Sequence, residues 1–188
     1  PERRGKGTCA RLDTRIEDVK VLGCINLEVC IAGTLFLGEN IEPVTDANDP
    51  YAAINMGIPF TGKPKAVMLD LKMRVSPERR VLKATGFAKK KWIEGHDEPE
   101  VYAYLQKRWE DDKGNIYAKR IGTVRQRFPH SMPEWHNNYR INIHYGDITQ
   151  QPFFKDYMGL FPAGGQFKAK NKKGKIVPIK EIGWGNDT

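Results

Sequence analysis

The sequence has little cysteine and no long apolar run, and each absence excludes a class of protein. The three cysteines, Cys9, Cys24 and Cys30, form no CxxC motif and lack a nearby histidine pair, which excludes a zinc site. We expect Cys24 and Cys30 to be small buried apolar residues. No apolar run approaches the ~20 residues of a membrane-spanning helix, so no transmembrane segment is expected.

Motifs of common catalytic sites are also missing from the 188 residues. The chain has no Gly-rich phosphate loop, no HExxH and no GxSxG. Carboxylates such as Asp70, Glu100 and Asp147 stand in no context that favours catalysis. The sequence therefore predicts no catalytic residue, and its histidines share no metal-ligand spacing: His96, His130, His136 and His144.

Positive charge is in excess, with 31 Lys and Arg against 23 Asp and Glu and a formal net charge of +8. Such a balance fits an acidic glycan or a nucleic acid as partner, while a well-solvated surface is the simpler explanation. The basic residues are spread along the chain, and the cluster at Lys168–Lys175 is expected to be a hairpin turn. Because no nucleic-acid-binding motif is present, no nucleic acid is expected as partner.

What the chain does contain is segments that alternate between apolar and polar residues. Gly57–Pro64 holds two glycines and two prolines, which exclude a helix, and leads into Lys65–Val75, which alternates with the period of a half-buried strand. Val101–Trp109 alternates too, and a glycine-bearing turn returns the chain into Ile116–Arg127. These segments predict a strand and a β-hairpin.

Shorter segments extend the β pattern along the chain. Helical periodicity is weak, with a turn or two at most over Phe153–Leu160, and Pro129–Asn138 is predicted to be a loop. Pro178 marks its strand as a sheet edge. The spacing of strands and turns predicts one domain over residues 1–188, an all-β antiparallel β-sandwich. The other predicted strands are Val19–Ile31 (as one or two strands), Gly33–Leu37, Leu82–Phe87, Tyr139–Tyr145, Phe167–Lys170 and Lys175–Lys180.

Aromatic residues in predicted loops are the best candidates for a binding site. Exposed aromatic rings stack on the apolar face of sugars, while neighbouring amides and charged groups bond the hydroxyls. The alternative is that the tryptophans close the ends of the sandwich core, which is the interpretation favoured for Trp109 at the end of its strand. The predicted carbohydrate-binding residues are Trp92, Trp135, His136, Asn138 and Tyr139.

A possible cation site lies in the loop between Gly38 and Gly57. Asp46, Asn48 and Asp49 could supply oxygen ligands to calcium. Such residues also form plain turns, because their side chains bond their own backbone. A plain turn is the favoured interpretation, and calcium is the one candidate cofactor.

An ordered set of segments carries a family resemblance. Ala32-Gly-Thr-Leu-Phe-Leu-Gly38, Asn55–Ala66, Val101-Tyr-Ala-Tyr-Leu105 and Ile141-Asn-Ile-His-Tyr-Gly146 occur in the order and spacing of the carbohydrate-metabolism domain family. That family is found at the C-terminal end of surface proteins from gut bacteria. The resemblance implies a jelly-roll sandwich similar to carbohydrate-binding modules, exported to the outer-membrane surface or periplasm as part of a lipoprotein and tethered to an upstream domain. It implies no catalytic residues.

The end of the chain departs from the family, whose closing Gly-Ser-x-Leu-x-Val-Asp strand is missing at Gly183–Thr188. We therefore expect a single domain that lacks its C-terminal closing strand. The predicted function is non-catalytic binding of a polysaccharide, with acidic glycans suggested by the charge. The alternatives are a glycoside hydrolase or lyase on the same scaffold, and a protein-binding adhesion or structural module.

Overall fold

The structure is a computed structural model that describes residues 3–21, 25–41, 53–83, 90–162, 164–165 and 167–186. In these residues the chain is built mainly of β-strands, with a short 3₁₀ turn at Asp156–Met158, so the all-β prediction is confirmed. The strands within the described ranges are β1 (Arg3–Arg4), β2 (Gly7–Thr8), β3 (Arg15–Val21), β4 (Ile25–Ile31), β5 (Gly38–Asn40), β6 (Ile54–Met56), β7 (Ala66–Met73), β8 (Arg80–Lys83), β9 (Lys91–Glu94), β10 (Glu100–Glu110), β11 (Ile116–Arg127), β12 (Met132–Asn142), β13 (His144–Tyr145), β14 (Lys168–Lys170) and β15 (Ile176–Trp184).

The largest sheet has the strand order β10-β11-β15-β14, and β13 also pairs with β11. β10 and β11 form the predicted hairpin, with antiparallel pairing from Glu100↔Arg127 to Glu110↔Ile116. β11 and β15 pair in parallel, whereas β14 and β15 form the second predicted hairpin. The long central strand β11 therefore has a partner on each side.

A second layer, the antiparallel ribbon β7–β12, packs on one face of this sheet, called here the inner face. The alternation of β7 predicted this, because every second side chain of the strand points into the core. The buried residues of the core between the layers are Leu71, Val124, Phe128 and Ile141. The two layers form a β-sandwich; the jelly-roll connectivity and the single-domain boundary stay predictions.

A bulge in β11 reverses the alternation of its side chains between the two faces of the sheet. Leu105 pairs with Gly122 and Gln106 with Arg120, so Ile121 is an extra residue. Beyond the bulge Val124 points to the inner face, and before it Ala118 and Arg120 point to the opposite, outer face. A second core cluster covers part of the outer face: Ile116, Ala118, Ala169 and Ile179.

The outer face contains a fully buried ion pair between Arg120 of β11 and Glu181 of β15. Arg120 Nε donates to Glu181 Oε1 at 2.7 Å, Nη2 donates to Oε2, and Nη1 donates to the carbonyls of Met158 and Gly159 at 3.1 Å each. Glu181 also accepts from the backbone N–H of Phe161 at 2.8 Å. The pair thus joins two parallel strands to the segment that follows the 3₁₀ turn.

A second charged cluster lies farther along the outer face. Arg125 donates to both carboxylate oxygens of Glu100, at 2.9 and 3.0 Å, and Arg127 Nε donates to Glu100 Oε2 at 2.8 Å. Burial would raise the pKa of Glu100, but the hydrogen bonds from the two arginines outweigh it and the pKa is lowered. Tyr157 closes the cluster, with its carbonyl accepting from Arg125 and its ring 4.3 Å from the Arg127 guanidinium carbon.

Several sequence predictions about single segments are wrong. Pro129–Asn138 is not a loop, because residues from Met132 onward belong to β12. Residues 33–37 contain no strand. Pro178 does not mark an edge: it pairs with Lys168 just before the parallel ladder with β11 begins at Ile179, so the missing N–H of proline falls outside that ladder.

Other segments are changed in extent or burial. Val19–Ile31 corresponds to parts of two strands, β3 and β4, which pair with each other, and residues 22–24 lie outside the described ranges. Of the predicted strand Leu82–Phe87, Leu82 and Lys83 belong to β8 (Arg80–Lys83), and residues 84–89 also lie outside those ranges. Cys30 is exposed rather than buried, because it lies on a ribbon outside the two-layer core. Cys24 is among the undescribed residues.

The buried ion pair gives a first prediction. Glu181→Gln should lower the free energy of unfolding by about 3–5 kcal/mol, because it leaves the Arg120 charge buried without a counter-charge. Urea unfolding at pH 7 measures this. The matched control is Asp13→Asn, which neutralises the carboxylate of the exposed Arg11–Asp13 pair and should change stability by less than about 1 kcal/mol. Equal, small changes in both variants would contradict the prediction.

The Glu100 cluster gives a pH-dependent prediction. Because folding lowers the pKa of Glu100, its contribution to stability is present above the unfolded-state pKa of about 4.3 and is lost as the pH falls through the folded-state pKa. Urea unfolding of wild type and Glu100→Gln should therefore differ most near pH 7 and converge toward pH 3. A difference that stays constant over this range would count against the assignment.

Candidate functional site

Trp92 lies in the wall of a groove of about 380 Å³ lined by residues from the ribbons β3–β4 and β8–β9 and from the segments beside them. Trp92 is 53% exposed, as a binding residue requires. Hydroxyl, charged and apolar side chains all line the groove. Its lining residues are Thr14, Arg15, Ile16, Cys30, Ser76, Glu78, Arg80, Val81, Leu82, Trp92 and Asp97.

The strand pairing fixes the environment of the indole. Leu82 of β8 pairs with Trp92 of β9, which places Arg80 diagonally across from the ring, within reach of a long side chain. The guanidinium carbon of Arg80 lies 4.7 Å from the Trp92 ring centroid, a cation–π distance. Arg80 Nε also donates to Glu78 Oε2 at 2.6 Å. The Trp92 indole is therefore positioned by its cation–π contact with Arg80, and Arg80 is positioned by its hydrogen bond to Glu78.

The lining of the groove combines one large aromatic ring with several polar groups. Thr14 and Ser76 supply hydroxyls, Glu78 and Asp97 supply acceptor oxygens, and the two arginines supply donors. Two positive and two negative side chains leave the groove without net charge. An aromatic surface beside acceptors and donors of this kind suits a ligand that is rich in hydroxyl groups.

The other predicted site residues lie on β12, which is irregular. The four steps along β12 from Met132 to His136 correspond to two steps along β7, and the three steps from His136 to Tyr139 correspond to two more. Asn138 accordingly adopts φ 53°, and its N–H donates to Asp70 Oδ1 at 2.6 Å. These extra residues broke the alternation and made the segment resemble a loop. His136 and Asn138 are exposed, as a binding site requires.

Trp135 and Tyr139 have different surroundings. Trp135 is partly buried, and the ammonium group of Lys72 lies 5.3 Å from its ring centroid. Tyr139 packs against the inner core, with its ring 5.7 Å from that of Phe128, and its hydroxyl accepts a hydrogen bond from Gln126 Nε2 at 2.7 Å. The Tyr139 side chain therefore belongs to the sandwich core.

The structure thus places the predicted residues on two ribbons, with Trp92 on β8–β9 and the other four on β7–β12. Sequence analysis missed the polar groups around Trp92, above all Arg80, Glu78 and Asp97. Glu78 and Arg80 were not recognised as part of a site, because nothing in the local sequence shows which strand pairs with β9. A useful signal would have been the period-two spacing of Arg80 and Leu82 at the start of β8.

The calcium prediction cannot be compared with the structure, since Asp46, Asn48 and Asp49 lie outside the described residues. Within the described ranges, no group of three or more His, Cys, Asp or Glu side chains could hold a metal ion. The same ranges contain no helix with the length and apolar character needed to cross a membrane.

Comparison of the chain with protein-family models, curated proteins and solved structures found no match. The resemblance to the carbohydrate-metabolism domain family therefore stays a prediction. What bears on function in the described residues is the geometry of the Trp92 groove and of the exposed sheet surfaces.

The irregular strand β12 gives a further stability prediction. Asn138→Val should lower the free energy of unfolding by about 1–2 kcal/mol, because a β-branched residue is strained at φ 53°. Asn138→Gly is the matched control and should be nearly neutral, since glycine adopts this conformation without steric cost. Thermal and urea unfolding measure both variants. A valine variant as stable as the glycine variant would contradict the backbone assignment.

Proposed function

We propose that this chain is a non-catalytic glycan-binding β-sandwich whose ligand stacks on Trp92. The observation that carries the proposal is an exposed indole, oriented by Arg80, in a groove of about 380 Å³ with hydroxyl and carboxylate groups around it. Binding of a sugar needs a ring surface and hydrogen-bonding groups in one place, and the groove offers both.

The Trp92 groove is a better candidate than the surface around Trp135. Trp92 is 53% exposed, whereas Trp135 is partly buried. The nearby Tyr139 directs its ring into the core and shares its hydroxyl with Gln126. Fewer groups are thus available at Trp135 for a ligand.

The charge of the groove supports a neutral ligand. Glu78 and Asp97 would repel the sulfate or carboxylate groups of an acidic glycan, while their oxygens accept hydrogen bonds from sugar hydroxyls. Arg80 is engaged by Glu78 and by the Trp92 ring, so its charge is already balanced. We therefore propose a neutral oligosaccharide for this groove, rather than the acidic glycan that the net charge suggests.

The proposed role is capture rather than turnover, at the bacterial cell surface and tethered to an upstream domain. Capture is supported by the contact of Glu78, because its carboxylate accepts a hydrogen bond from Arg80 Nε at 2.6 Å and is thus engaged in a structural pair. Export, surface display and the tether to an upstream domain are supported by the family resemblance alone.

The test is calorimetric titration with a panel of neutral oligosaccharides at millimolar concentration. Trp92→Ala should weaken binding at least about tenfold, or 1.4 kcal/mol, because the stacking surface is lost. Trp135→Ala is the matched control and should bind as the wild type does. Failure of every sugar in the panel, or loss of binding in the Trp135 variant alone, would overturn the proposal.

The exposed thiol of Cys30 provides a second readout, because it lines the same groove. In a Cys9→Ser/Cys24→Ser background, a bound oligosaccharide should slow the reaction of Cys30 with a thiol reagent. An unchanged rate at a saturating sugar concentration would place the sugar elsewhere.

A further inference from the structure

One end of the inner face carries an aromatic surface that the ribbon β7–β12 does not cover. Trp109 of β10 is 42% exposed and pairs with Tyr117 of β11; their ring centroids are 6.0 Å apart and the ring planes are inclined by 21°. On the other side Tyr117 pairs with Lys180 of β15, whose ammonium group lies 5.4 Å from the Tyr117 ring centroid. Trp109 was interpreted as a core-closing residue, and its exposure corrects that interpretation.

Two lysines stand next to the aromatic pair on the same face. Lys107 and Lys119 each lie two residues from the aromatic residue on their strand, so they share its face of the sheet. They pair directly across the strands, and both are exposed. Like charges in direct cross-strand register destabilise a sheet. An anionic ligand would relieve this repulsion.

Two turns add further positive charge at this end of the sheet. The turn after β10 and the turn after β14 are joined by Asn171 Nδ2 donating to the Gly114 carbonyl at 2.9 Å and by the Lys172 N–H donating to Glu110 Oε2 at 2.8 Å. They carry exposed lysines, which are Lys113, Lys172, Lys173 and Lys175. With Lys107, Lys119 and Lys180 these make seven lysines, beside the three carboxylates of Glu110, Asp111 and Asp112.

We propose that this surface, called here the Trp109 surface (Lys107, Trp109, Tyr117, Lys119 and Lys180 with the four turn lysines), binds an anionic polysaccharide. One sugar ring stacks on Trp109, and its sulfate or carboxylate groups lie against the lysines. The surface shares no residue with the Trp92 groove and differs from it in charge. The two proposed sites can therefore be tested independently.

The aromatic geometry favours a polysaccharide over a single-stranded nucleic acid. Proteins that bind single strands stack successive bases on separate aromatic rings. Here Trp109 and Lys180 already lie against Tyr117, which leaves Trp109 as the one ring with a large exposed area among the residues of this surface. Every cation of the surface is a lysine, whereas arginine is the residue of choice for nucleic-acid recognition.

The test measures the affinity for heparin fragments at several salt concentrations. Lys107→Gln/Lys119→Gln should weaken binding at least tenfold and reduce its salt dependence, and Trp109→Ala should also weaken it. The matched control is Lys65→Gln/Lys155→Gln, which removes the same charge from exposed positions elsewhere and should change affinity less than twofold. The Lys107/Lys119 variant should also unfold at a higher temperature than the wild type, which excludes misfolding as the cause of weaker binding.

Four results would overturn the proposal. They are no heparin binding at low salt, an equal loss in both lysine double variants, tighter binding of single-stranded DNA than of heparin at the same charge and salt, and loss of heparin binding in Trp92→Ala. Loss of heparin binding in Trp92→Ala would place the anionic ligand in the Trp92 groove. If this variant still binds heparin, the two proposals are tested independently, whether or not it binds neutral sugars.

Discussion

The buried pair of Arg120 and Glu181 is the interaction on which the central sheet depends. Neither charge could be desolvated alone, and each is satisfied by the other together with backbone groups of Met158, Gly159 and Phe161. The guanidinium carbon also lies 4.0 Å from the Tyr104 ring centroid. Burial raises the pKa of the Tyr104 hydroxyl to about 12, so this layer keeps a neutral phenol beside the arginine. One charged contact thus holds β10, β11, β15 and the covering segment together.

Local sequence patterns were enough to predict the strands that bury one face in the core between the two layers. β7 and β10 alternate between apolar and polar residues, and the glycine-bearing turn after β10 placed β11; the predicted ranges of all three agree with the structure to within a few residues. Pairing between distant strands left no such local trace. The parallel register of β11 with β15 and the extra residues of β12 depend on contacts far apart in sequence, so Pro178 and Pro129–Asn138 were misinterpreted.

The candidate sites show the same division between local and distant information. Trp92 was a candidate from its polar neighbours in sequence, but its contact with Arg80 follows from the β8–β9 register. Trp109 does share the inner face with Val101 and Ala103, as alternation predicts. It is exposed because the β7–β12 ribbon packs on the Val101 and Ala103 part of that face, and the sequence of β10 carries no information about the extent of its neighbour.

The parallel insertion of β15 between β11 and β14 also has a consequence for the order of events during synthesis. Glu181 follows its partner Arg120 by 61 residues, and β11 emerges from the ribosome long before β15. Until the later strand arrives, the Arg120 side chain must remain hydrated, so the outer face cannot close around it. The β10–β11 hairpin can form early from local contacts, whereas completion of the sheet is a late and comparatively slow step. In the nascent chain the β15 side of β11 therefore remains unpaired, and open to non-native contacts, until β15 has emerged from the ribosome and paired with it.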